Sequence, residues 1–173
     1  MKSYAWIPAF LLLILTYFLS SIPGLKVLPV LKQVNAILVS YDLSITRLAV
    51  KIASYLPVQL DPAKTFTSDF YAYARANPVI IEFILRKSAH VILFFLITLS
   101  FFIMLHQLFK RPGLAVAGAF LAGTILSFLD EYHQSFTANR SGNLVDVAID
   151  MVGVCIAIGL VIFALVITRR WRV

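Results

Sequence analysis

Charge is scarce in this chain: Asp, Glu, Lys and Arg make up 13% of its 173 residues. A water-soluble domain carries about 25%. With 61% hydrophobic residues and a mean hydropathy of +0.91, the chain lacks the polar surface that a soluble globular enzyme needs, and it is far too apolar for intrinsic disorder. Cysteine occurs once, as Cys155 within an apolar run, so an intrachain disulfide and a cysteine-built metal site are both excluded. That position predicts an inert packing residue. Repeats and low-complexity segments are also missing, and the length suggests one domain.

What the chain does have is long apolar runs. Four approach the roughly 20 residues that cross a hydrocarbon core: about 4–22, 88–108, 114–130 and 145–168. The first has a lysine before it, as a signal peptide does, but its length and the missing A-x-A-like site favour a retained anchor. The third carries Ala115, Ala119 and Gly123, with Gly118 and Ala122, at the spacing that lets membrane helices approach closely. These runs predict an all-α integral membrane protein, a four-helix transmembrane bundle.

The excess of basic residues then acquires a meaning. Lys2, Lys110, Arg111, Arg169, Arg170 and Arg172 have no acid among them and fall on one side of a four-crossing topology. Such segments face the cytoplasm. The other side holds all eight acids with the remaining nine basic residues. The formal charge of +7 is thus a topology signal, and no nucleic-acid partner is implied. Both termini are expected in the cytoplasm.

Residues 23–83 are too many for a bare loop. Val34, Ile37, Leu38, Tyr41, Ile45, Leu48, Ile52 and Tyr55 recur every three or four positions, whereas Asn35, Arg47 and Lys51 fall off that stripe. Together with Asp42 they disfavour a further crossing and predict an amphipathic helix over about 34–56, lying along the outer interface. A short helix is expected from about Ser68. Asn77-Pro78 reads as the start of the next helix, with proline in its first turn.

The polar residues that composition leaves unexplained all map to one membrane face. Glu82, Arg86 and His90 are four apart, with Lys87 adjacent. Asp130-Glu131-Tyr132-His133-Gln134 closes the third run, Arg140 follows, and Asn143, Asp146 and Asp150 open the fourth. Ordinary roles exist for several: a Glu82–Arg86 surface pair, Lys87 reaching to headgroups, Asn143 as an N-cap with Asp146 in the first turn. Asp150, a full turn deeper among Val147, Ile149, Met151 and Val152, requires a partner or a wet cavity. Asp130 and Glu131 end a helix, where the macrodipole disfavours acids, so Arg86, Arg140 or a metal ion is expected beside them. Arg86 is the expected partner of a carboxylate, because its fork serves two acceptors. His106, alone near the other end, reads as structural.

At these residues the chain resembles the VanZ-like family. The resemblance rests on Arg86-Lys87-Ser88-Ala89-His90, then Asp130-Glu131-Tyr132-His133-Gln134-Ser135-Phe136, then Arg140 with Asp146, Asp150 and Gly153, and on Leu19-Ser20-Ser21 with Pro23. It covers the four apolar runs, and residues 26–76 carry no matching motif. Ala138-Asn139 stands where the family has Pro-Gly, and Ala157 where it has a second glycine. Asparagine can still adopt a left-handed turn. The family takes its name from a protein associated with teicoplanin resistance, so the resemblance implies a place in the bacterial cell envelope without supplying a reaction.

Three functional readings are open at this point. Arg86, His90, Asp130, Glu131, His133, Gln134, Arg140, Asp146 and Asp150 could form a site acting on an outer-leaflet lipid or lipid-linked envelope precursor. In it the acids and histidines would transfer protons or hold a divalent cation, and the arginines would hold phosphate. The same residues could bind or shield a lipoglycopeptide without turnover. Asp150 could serve a proton-coupled transporter, although the inner face offers no acid to complete a path. No single spacing is a recognised metal or nucleophile motif.

Overall fold

The computed structural model describes residues 4–40, 76–138, 140 and 142–168. They form α1 (Trp6–Ser21), α2 (Val27–Ser40), α3 (Pro78–Phe109), α4 (Pro112–Gln134) and α5 (Leu144–Ile167), with no strand among the described residues. Contacts divide the chain into two compact units, Met1–Leu25 with Lys87–Val173, and Lys26–Arg86.

Among the described residues, three helices are long and apolar enough to cross a membrane: Glu82–Phe109 within α3, α4 and α5. At 1.5 Å per residue α4 and α5 span about 35 Å each, more than the roughly 30 Å hydrocarbon core. The uncharged run at the start of the chain forms a shorter helix than expected. The 16 residues of α1 reach about 24 Å, since Pro23 and the left-handed Gly24 (φ +56°) end it early.

Each later helix starts where local chemistry favours it. Pro78 opens α3 directly after Asn77, as the sequence indicates. Lys110 takes a left-handed φ of +54° and Arg111 an extended one, so the chain reverses within two residues before Pro112 opens α4. Asn143 caps α5 by accepting a hydrogen bond from the Val145 amide.

Packing in the first unit inverts the pattern of a soluble protein. Small residues line much of the interior: Ala9 on α1, Ala115, Ala119 and Gly123 on α4, and Val154 and Ala157 on α5, packed around the buried Phe94 and Ile97 of α3. A Cβ on Gly123 would lie 2.8 Å from Thr98 Oγ1 and 3.1 Å from Val154 Cγ2, so α4 meets both α3 and α5 at this glycine. Large apolar side chains such as Phe10, Phe18, Leu121, Phe128, Leu160 and Phe163 point outward. In lipid that costs nothing, and close approach through small residues supplies the helix–helix contact. Cys155, expected as a packing residue, is exposed instead. The helical period turns Val154, Ala157 and Val161 inward and carries position 155 to the outer face.

In the second unit α2 begins at Val27, seven residues before the expected amphipathic helix, and exposes Val34 and Ile37. The expected continuation to 56 and the helix near Ser68 lie outside the described residues. The Glu82 carboxylate accepts a hydrogen bond from the Val27 amide.

Candidate functional site

Asp150, two turns into α5, is fully buried. One carboxylate oxygen lies 3.0 Å from His90 Nδ1 on α3, and the other accepts a hydrogen bond of 3.1 Å from Ser127 Oγ on α4. The partner that its depth demanded is therefore supplied from two helices. Gly153 permits this approach. A Cβ there would press into the Val91 carbonyl oxygen and lie 3.0 Å from the Phe95 amide nitrogen, so the backbones of α3 and α5 touch one turn beyond the His90–Asp150 contact.

Asp130 and Glu131 end α4, where an arginine or metal was expected to offset them. Their described partners are neutral. Asp130 accepts from Ser20 Oγ of α1 and, at 2.8 Å, from Gln134 Nε2 one turn along. Glu131 Oε2 accepts from the Asn143 amide at 3.0 Å. That bond depends on Gly142, where a Cβ would collide with the Glu131 carbonyl oxygen. The other carboxylate oxygen, Glu131 Oε1, is buried with no hydrogen-bond partner, on a residue only 5% exposed.

One ligand-capable atom from each of His90, Asp130, Glu131 and Asp150 lies within 4.8 Å of the others. Two ionised carboxylates at that range repel by about 3–4 kcal/mol at an effective dielectric constant near 20. Three buried acids sharing one imidazole therefore need added positive charge, whether as protons or as a cation.

The other candidates stand around this core. Asp146 pairs with Lys87. Arg140 donates from Nη2 to the Leu19 carbonyl at 3.2 Å, tying the α4–α5 connection to the end of α1. Thr137 Oγ1 reaches the Ser20 carbonyl in the same way. His133 places Nε2 3.0 Å from Ser21 Oγ and its ring 4.8 Å from that of Tyr17. Since Ser21 Oγ also donates to the Tyr17 carbonyl, its proton is committed and His133 acts as donor. Arg86 falls in the second unit, outside this description. His106 stacks on Phe102 at 5.5 Å.

Ser20 belongs to the Leu19-Ser20-Ser21 motif, whereas Ser127 and Gly142 stand outside every motif. Ser127 was legible: it sits three residues before Asp130 in an otherwise apolar run, on the face that carries Gly123. Gly142 had no such signal, because its need for space comes from the end of α4.

A groove of about 120 Å³ adjoins the cluster, with Leu13 and Tyr17 of α1, Phe94 and Ile97 of α3, and Leu126 and Leu129 of α4 along it. Asp130 and His133 also line it, so an apolar channel reaches a member of the acidic cluster.

The family model described as VanZ/LLP1 matches residues 5–166. No curated protein and no solved structure matches the chain.

Proposed function

Because the chain belongs to the VanZ/LLP1 family, we propose that it is an envelope-membrane protein whose buried polar cluster acts on the headgroup end of an outer-leaflet lipid or lipid-linked precursor. The family name connects this role to teicoplanin resistance. The observation that carries the reading is the meeting of an apolar groove with the cluster at Asp130 and His133. An acyl or isoprenoid chain fits beside Leu13, Phe94 and Leu129, while its polar end meets carboxylates and imidazoles able to exchange protons. Sites of this kind pair apolar walls with a few convergent polar groups.

The segregation of six basic residues from all eight acids supports an orientation with both termini in the cytoplasm. In that orientation the cluster would face the outer leaflet, where lipid-linked envelope intermediates and lipoglycopeptides are met. Ionisable groups at membrane depth are functional candidates by default, which favours a working site over a fortuitous network.

Growth in teicoplanin tests the proposal. A Gram-positive host lacking its own copy receives wild type, Asp150→Asn or Glu131→Gln, with membrane abundance measured for each. Wild type is expected to raise tolerance, and both variants to lose that gain at equal abundance. Equal tolerance of variants and wild type, at equal abundance, refutes the reading.

A further inference from the structure

We infer that His90, Asp130, Glu131 and Asp150 bind one divalent cation of the manganese, iron or zinc class, bridging α3, α4 and α5. The inference rests on the reading of this cluster as the functional site and adds the ligand that completes it.

Two independent observations point to it. The first is spacing: one ring nitrogen and three carboxylate oxygens, all within 4.8 Å of one another. Ligands at about 2.0–2.2 Å from a shared ion are separated by no more than about 4.4 Å, so small side-chain adjustments bring the four atoms onto one centre. The second is Glu131 Oε1, which lacks a hydrogen-bond partner although its residue is more than nine-tenths buried. An orphaned carboxylate oxygen in an apolar protein interior is unstable unless something positive meets it.

The surrounding contacts suit a ligand shell. Ser20 and Gln134 hold Asp130, Ser127 holds Asp150, and the Asn143 amide holds Glu131 by its other oxygen. Each acid is thus oriented by a neutral donor, as the outer partners of metal ligands are. The donor set narrows the ion. Carboxylates alone would suit magnesium or calcium, whereas an added imidazole shifts preference to manganese, iron or zinc. The absence of cysteine from the set argues against softer metals.

The test uses the full chain purified in detergent without added lipid, stripped with a chelator and titrated with Mn²⁺ alone. Electron paramagnetic resonance counts the free ion. One bound Mn²⁺ per chain is expected, with ¹⁴N coupling from an imidazole. Glu131→Gln and Asp150→Asn should each weaken binding at least about tenfold, while His106→Gln leaves it unchanged. A folded, monodisperse wild type that takes up no Mn²⁺, or bound Mn²⁺ without ¹⁴N coupling, overturns the inference, as do folded acid variants that bind like wild type. Both wild-type readouts stand even if the acid variants fail to fold. Because no lipid is present, failure here leaves the teicoplanin result untouched, and manganese uptake with unchanged tolerance in the variants refutes the lipid reading alone.

Discussion

Gly153→Ala is the substitution in which packing and site geometry are most tightly joined. The added methyl would meet the Val91 carbonyl oxygen and carbon and the Phe95 amide nitrogen, the last two at 3.1 and 3.0 Å. All three atoms are backbone, so no rotamer change relieves the clash, and α3 and α5 must move apart. Overpacking of this kind costs about 1–3 kcal/mol, set against the roughly 1 kcal/mol that alanine gains over glycine in a helix interior. Gly159, on the same helix, has nothing within 4 Å of its added Cβ and provides the matched control. Thermal unfolding in detergent, followed by circular dichroism, should show Gly159→Ala neutral or slightly stabilised. Gly153→Ala should melt below that control by about 2–12 °C, taking about 2–4 °C per kcal/mol for a chain of this length. The same separation lengthens the 3.0 Å His90–Asp150 contact, so Mn²⁺ affinity should fall with stability. If Gly153→Ala melts with Gly159→Ala, the close crossing at Val91 is wrong.

Other outcomes follow from the same contacts. Ser127→Ala removes a buried donor to Asp150 and should destabilise by about 1–3 kcal/mol, read from the same melts. Lys87→Met and Asp146→Leu should each destabilise, and the double variant should lose less than their sum, with a coupling of at least about 0.5 kcal/mol in a double-mutant cycle. Lys110→Gly relieves a left-handed φ of +54° and should stabilise by about 1 kcal/mol. For topology, Cys155 is first replaced by alanine; a cysteine at Ala138 should then react with an impermeant reagent from outside, and one at Gly113 should not.

The helices were legible because their signals are local and redundant. Asn77-Pro78 and Asn143 mark two starts, and the spacing of Ala115, Ala119 and Gly123 already named the buried face of α4. The partners of the acids were harder to read, because a neutral donor leaves no charge pattern in the sequence. Arg86, Arg140 or a metal ion was the expectation beside Asp130 and Glu131; the described hydrogen bonds to these acids come from two neutral side chains and a backbone amide, and Arg140 donates to the Leu19 carbonyl. Neutral donors are numerous in any sequence, and only the crossing of α1 behind α4 selects Ser20. Asp150 shows the opposite case. Its depth in an apolar run required a partner whatever the fold, and His90 and Ser127 meet that requirement.

Photo-crosslinking in living cells tests the central claim most directly. Cells are fed a clickable lipid with a photoreactive acyl chain, illuminated, and the labelled peptides of the purified protein are mapped by mass spectrometry. The account predicts labels concentrated at Leu13, Tyr17 and Leu129 in the groove beside Asp130, reduced in Glu131→Gln at equal membrane abundance. Labels spread evenly over outward residues such as Phe18, Leu121 and Phe163, and unchanged in Glu131→Gln, would contradict it.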